Sequence, residues 1–254
     1  MSRIRRNIIG TAGVLAVCEL VSRSGLVNSD QLPPPSVIGH RLVALLNDYD
    51  FCLEVLGTVL SWAVALAVAV AIAVPLGLVF GSVPLVRSAT SAIVEFLRPI
   101  PSVALIPLAL VTLGSGPATK ISLAVFGAVW PILFNTMHAV GDIDPVQVDT
   151  AKAFNLTRRQ MLTQVTLPSI APFVLTGIRI SAGIALILIV STEVLAPAGG
   201  GLGNFIAEVG GGGARMDLAI AGIFVAGIVG LVINLGFSGI QRRWVNWSDG
   251  DRDR

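Results

Sequence analysis

Residues 55–80 read VLGTVLSWAVALAVAVAIAVPLGLVF, an unbroken run without one charged side chain. At 1.5 Å per residue, a helix over Val55–Phe80 rises about 39 Å. That is enough to cross a hydrocarbon core of about 30 Å with some tilt. Lipid offers no partner to an open peptide group, so the run must close its hydrogen bonds within itself as a helix. Five further apolar runs flank it. Ile8–Val21 is short and contains Glu19. Val103–Leu113 follows a broken start at Arg98-Pro99-Ile100-Pro101, with Ile93–Leu97 as its possible extension. Ile121–Val140, Pro168–Leu195 and Leu218–Ile240 complete the set. Pro168–Leu195 carries Arg179 near its start and Glu193 near its end. The expectation is an all-α, polytopic membrane protein with about six transmembrane helices.

Composition agrees. Of 254 residues, 54% are hydrophobic and 13% charged, where a soluble domain carries about 25% charge. Mean hydropathy is +0.84. The net charge of +2 gives no footprint for a nucleic-acid partner. Cys18 and Cys52 have neither metal nor redox spacing. Arg3, Arg5 and Arg6 before a short apolar stretch also fit a signal peptide, but only more membrane runs follow, which favours an uncleaved first helix.

Lysine and arginine placement sets the expected orientation. Arg3, Arg5 and Arg6 lie at the N-terminus and Arg242, Arg243, Arg252 and Arg254 at the C-terminus. Arg87 and Arg98 fall in the second loop, and Lys152, Arg158 and Arg159 in the fourth. The alternate loops are poorer in cations. Both termini and the second and fourth loops are therefore expected in the cytoplasm. In the outer segments, residues 32–36 form a stiff, proline-rich stretch ahead of an amphipathic helix at Val37–Leu46. Leu202–Val209, between glycine runs, reads as a short re-entrant or interfacial helix.

The fourth loop, residues 142–166, is far longer than a turn between helices needs. Asp144-Pro145 starts a helix over Val146–Phe154, with proline tolerated in the first turn. Asn155-Leu156-Thr157 breaks it, since asparagine accepts the left-handed conformation that ends helices. Thr157 caps a second helix over Arg158–Thr166, and Leu167-Pro168 opens the next span. Two short helices at an elbow make a knob on which another protein can push.

The residues of this elbow resemble a family motif: Glu-Ala-Ala, three residues, Gly, nine residues, then Ile-x-Leu-Pro, found in the membrane subunits of bacterial ABC importers. Here the chain has Asp149-Thr150-Ala151, Asn155 and Val165-Thr166-Leu167-Pro168, with the spacing kept. Thr150 and Asn155 depart from the motif. Phe96–Pro107, and Glu193 followed by Gly200–Ile206, resemble the branch importing nitrate, taurine, aliphatic sulfonates and similar small solutes. The resemblance runs from about Leu32 to Trp244. It implies an N-terminal helix and external segment at 1–54, an importer transmembrane domain at 55–244 and a cytoplasmic tail at 245–254.

The resemblance further implies that the elbow is a cytoplasmic coupling helix in the cleft of a separate ATPase subunit. Asp149, Thr150, Ala151, Phe154, Asn155, Leu156, Thr157, Arg158, Arg159, Leu167 and Pro168 would make that docking surface. ATP and Mg would belong to the partner, with no cofactor in this chain. An extracytoplasmic solute-binding protein and a second copy of the permease are the other implied partners, within a bacterial cytoplasmic (inner) membrane. No phosphate-binding Gly-Lys-Ser/Thr is present, because Thr119 precedes Lys120 and Ala151 precedes Lys152. With two histidines and no His-Glu-x-x-His, an intramembrane enzyme is disfavoured. A secondary transporter or channel is the competing class, but it would have no use for the elbow.

Six polar residues are candidates for the pathway or its gate: Glu95, Arg98, Ser102, Asn135, Arg179 and Glu193. Ionisable groups inside spans are costly and often functional. Arg98 reads equally as a snorkelling, topology-setting cation, and Glu193 as half of a structural pair. His138, Trp62 and Trp130 read as packing residues, and Pro75 as a kink.

Overall fold

The computed structural model describes residues 3–24, 32–97, 100–196, 199–213 and 215–244, and among them it is helical without strands. The helices are α1 (Arg3–Arg23), α2 (Pro35–Leu46), α3 (Tyr49–Ser82), α4 (Pro84–Leu97), α5 (Ile106–Leu113), α6 (Pro117–Gly141), α7 (Pro145–Ala153), α8 (Arg158–Gln160), α9 (Leu167–Leu195), α10 (Leu202–Gly210) and α11 (Met216–Trp244). Four continuous helical stretches are long and apolar enough to cross a membrane: Tyr49–Ser82, Pro117–Gly141, Arg158–Leu195 and Met216–Arg243. The run expected at Ile8–Val21 lies inside α1, which carries Arg23 and Glu19 toward its end. The run expected at Val103–Leu113 is a tight 3-10 turn, Ser102–Leu105, leading into the eight residues of α5. Pro101 and Pro107 lack the N–H that a longer helix would use there.

Two features of the expected layout change. The elbow's second helix is not separate from the following span, because helical structure runs unbroken from Arg158 to Leu195. A π-helical segment, Met161–Thr166, widens the coil just before Pro168, where the missing N–H removes an α-type hydrogen bond. Leu167-Pro168 is thus a passage and not a start. The second loop is also largely helical, as α4.

The chain forms two compact units. The first comprises Met1–Val59 and Val190–Val229. Its core gathers Leu45, Phe51, Leu202, Ala221 and Val225, with Ile38, Leu42, Phe205 and Ile206 packed around them. Phe51 meets Phe205 edge-on, with centroids 4.8 Å apart. Arg41 Nε of α2 donates to Asp217 Oδ2 of α11 at 2.5 Å.

The second unit comprises Leu60–Ile189 and Gly230–Arg254. Its core is built from small residues at four-residue spacing. On α3, Ala65, Ala69 and Ala73 are fully buried, and Gly77 continues the ridge against Thr136, whose Cβ lies 2.6 Å from where a Cβ on that glycine would stand. On α9, Ser181, Ala185 and Ile189 form a second ridge, and on α6, Ala124, Ala128 and Ile132 a third, all at most 1% exposed. Between membrane helices lipid removes the hydrophobic drive, so close approach and dispersion must do the holding. Small residues allow that approach. Two side chains reinforce it: Ser181 Oγ donates to the Ala128 carbonyl at 2.6 Å, and Trp62 Nε1 to the Ala182 carbonyl at 2.9 Å.

Candidate functional site

The elbow lies in the second unit and is closed by its own sequence. The Asp144 carboxylate accepts from the Val146 amide at 2.8 Å, with Pro145 at the first helical position. At the other end Asn155 adopts φ 54°, the one positive φ among the described non-glycine residues. The Leu156 amide reaches back to the Ala151 carbonyl at 3.1 Å, and the Asn155 amide to the Lys152 carbonyl at 2.9 Å. This paired closure is the usual left-handed helix stop. Asparagine serves where the family motif has glycine, because its short polar side chain tolerates the left-handed region.

The next helix opens with a reciprocal cap. The Thr157 amide donates to Gln160 Oε1 at 2.9 Å, and the Gln160 amide to Thr157 Oγ1 at 3.3 Å. The threonine was legible in sequence. Its partner Gln160, three residues on, was overlooked, although that spacing is the signature of a capping box.

Within the elbow Ala151 is buried, while Phe154 and Val146 are 76% and 70% exposed. Val146, Ala151, Phe154, Leu156 and Val165 face a shallow cavity of about 440 Å3, and Ser169 Oγ ties its wall to Gln147 Oε1 at 3.1 Å. Asp149, Thr150, Thr157, Arg158, Arg159, Leu167 and Pro168 are exposed around it. Asp149 pairs with Lys152 at 3.0 Å. Both groups are more than half exposed, so the pair contributes little. The elbow thus has a small buried residue beneath exposed apolar ones, with basic groups alongside.

The pathway candidates separate. In the second unit Arg179 Nε of α9 donates to Asn234 Oδ1 of α11 at 2.9 Å. Gln241 Nε2 donates to Thr176 Oγ1 at 3.2 Å between the same helices. The two contacts make a polar seam within apolar helices. Asn135 Nδ2 donates back to the Pro131 carbonyl at 2.8 Å within α6. Ser102 is half-buried, with its Oγ 3.3 Å from where a Cβ on Gly127 would stand. Glu95 falls in α4 with its side chain outside the described residues, and Arg98 lies outside them altogether.

Glu193 belongs to the first unit and is 2% exposed. Its carboxylate accepts from the Gly203 amide at 3.0 Å and from Thr58 Oγ1 at 2.9 Å. Thr58 Oγ1 in turn accepts from the Leu202 amide at 2.8 Å. Glu54 Oε2 accepts from the Gly201 amide. Three successive amides entering α10 are thus held by three side chains from α3 and α9. The helix has no side-chain cap of its own, so its orphan donors require outside partners, and its positive end favours carboxylates. Gly201, at φ 117°, leaves no room for a Cβ against Glu193. Sequence reasoning singled out Glu193 but missed Glu54 and Thr58. The available signal was a helix after three glycines with no capping residue.

The family pattern described as "Binding-protein-dependent transport system inner membrane component" matches residues 69–246. A putative ABC transporter permease protein of Methanocaldococcus jannaschii is 34% identical over 172 residues, 68% of this chain and 64% of that relative. The taurine transport system permease protein TauC of Escherichia coli is 31% identical over 94% of this chain and 88% of its own length. Further relatives are named as bicarbonate, nitrate and aliphatic-sulfonate permeases. Among solved structures, a bacterial ABC transporter that imports the acidic polysaccharide alginate superposes with a TM-score of 0.66 at 23% identity, over 94% of this chain and 97% of that one. That transporter has also been solved in complex with an alginate-bound periplasmic protein.

Proposed function

The chain belongs to the family of binding-protein-dependent transport system inner membrane components, the transmembrane and not the ATPase part of ABC importers, and on that premise we propose that it forms the pathway for a small solute bearing an anionic group. The elbow carries this reading. It keeps the spacing of the family motif, and its caps fix two helical turns around a buried Ala151 and an exposed Phe154. A separate ATPase subunit, holding ATP and Mg, grips this knob from the cytoplasm, where both termini also lie. Asp149, Thr150 and Ala151 sit in its cleft, and Arg158 and Arg159 meet acidic groups beside them. Closing of the ATPase pair moves two such elbows, one from each copy of the chain, and rocks the spans between outward- and inward-facing states. An external binding protein delivers the solute.

The anionic character is supported by the names of the taurine, nitrate, bicarbonate and sulfonate relatives and by Arg179. An arginine inside a span is costly unless it faces water, a partner or a charge. The seam of Arg179 and Asn234 suits the oxygens of a small sulfonate, nitrate or bicarbonate group.

The deciding experiment is uptake in proteoliposomes holding this chain, its ATPase subunit and its binding protein. Asp149→Arg and Ala151→Trp are expected to abolish ATP-driven uptake and ATPase co-purification while the chain still inserts. Normal uptake in both, or uptake by this chain without an ATPase, overturns the reading. Arg179→Gln is expected to raise the KM for the solute at least about tenfold, the 1.4 kcal/mol equivalent of one lost charge-assisted hydrogen bond. An unchanged KM removes Arg179 from the pathway and leaves the elbow reading standing.

A further inference from the structure

A second cavity lies in the first unit. It is half-open, about 440 Å3 in volume, and bounded by α1, α2 with the turn before it, and α11. Leu15, Ile38, Leu42 and Phe224 supply its apolar walls. The lining is apolar apart from the Cys18 thiol and the hydroxyl of Ser22. Ser22 is 4% exposed, and its Oγ has no hydrogen-bond partner among the described residues. Buried hydroxyls are almost always paired, so this one marks the place of an acceptor that the described residues do not supply.

The residues near Ser22 along α1 carry both signs of charge. Glu19 accepts from the Ser36 amide at 3.0 Å and from Ser36 Oγ at 2.7 Å. Arg23 pairs with Glu19 at 2.7 Å, and the arginine side chain is 64% exposed. The cavity therefore offers an apolar trough with one hydroxyl donor, and the stretch of α1 that lines it also carries a cation and an anion. Its size falls within the range of ligand pockets.

We infer that this groove holds a zwitterionic glycerophospholipid from the surrounding bilayer. One acyl chain fills the trough, and the ester carbonyl accepts from Ser22 Oγ. The phosphate faces Arg23 and the ammonium faces Glu19. The lipid then packs α1 against α2 and α11. A second copy of this chain is the rival occupant, but an apolar helix face would leave Ser22 unpartnered.

The test uses the intact permease complex in vesicles containing phosphatidylethanolamine with a photoactivatable acyl chain. Cross-links are mapped by mass spectrometry. Labelling is expected to concentrate on residues 14–42, several-fold above that around Val111, a side chain 86% exposed in the second unit. Gly39 lines the groove, and a Cβ there would meet nothing within 4 Å, so Gly39→Trp introduces a bulky side chain into the trough with no clash at its Cβ. It is expected to cut labelling of 14–42 at least about fivefold and to leave Val111 unchanged. Ser22→Ala, which removes the donor and adds no bulk, is expected to cut it several-fold and gives a second reading should the tryptophan variant fail to insert. Even labelling of the two regions, labelling unmoved by either variant, or equal labelling by a phosphatidylglycerol probe overturns the inference. So does an efficient Cys18–Cys18 cross-link between two copies.

Discussion

The elbow and the entry to α10 solve the same problem in opposite ways. Each must satisfy helix-end groups that have no partner within their own helix. The elbow does it locally: Asp144, Asn155, Thr157 and Gln160 all act within three or four residues of the groups they serve, on an exposed surface. The entry to α10 does it at long range: Glu54, Thr58 and Glu193 come from other helices, and the Thr58–Glu193 contact joins residues 135 positions apart in the chain. On the function proposed above, the elbow is a lever gripped by an outside partner, and such a lever needs to hold its shape on its own. A short helix with no cap of its own can be fixed only by the helices around it.

This contrast can be broken most severely at Gly201. Gly201→Val adds a side chain both to a φ of 117° and against the Glu193 carboxylate. It is expected to cost more than about 3 kcal/mol, since strain and overlap both apply, and to show as loss of monodisperse protein in detergent. Normal yield and melting would mean that the turn is not held as described. Glu193→Ala ranks next. It leaves the Gly203 amide without its carboxylate acceptor, at about 1–3 kcal/mol, and leaves the Thr58 hydroxyl only the Glu54 carbonyl, so it should lower the detergent melting temperature well beyond Glu193→Gln.

Local changes at the elbow should be milder. Thr157→Ala removes one side of the capping box for about 1 kcal/mol, with a small drop in melting temperature and a larger one in ATPase co-purification. Asn155→Gly relieves the left-handed strain of a φ of 54° and is expected to retain full uptake. If Thr157→Ala destabilised as much as Glu193→Ala, the division into local and long-range closure would fail.

The same division explains what could be read in advance. Asp144-Pro145, Asn155 and Thr157 declared the elbow because turn and cap chemistry operates over a few residues. Pro168 misled, because a proline reads as a boundary, and a neighbouring widened turn lets the helix pass through it. The ridge of Ala65, Ala69, Ala73 and Gly77 stands in the sequence at a period of four, but small residues name no partner until the helices meet. Glu193 stood out as an ionisable group inside a span, while Glu54 and Thr58 carried no local pattern that set them apart.

Apolar run length and the motif of the elbow, properties of consecutive residues, were enough to establish a helical membrane chain and its family. Which ridge packs on which, which carboxylate holds which amide, and the groove around Ser22 depended on helices distant in sequence coming together. Those contacts are set by fit and by hydrogen-bond satisfaction between segments, and no local pattern encodes them.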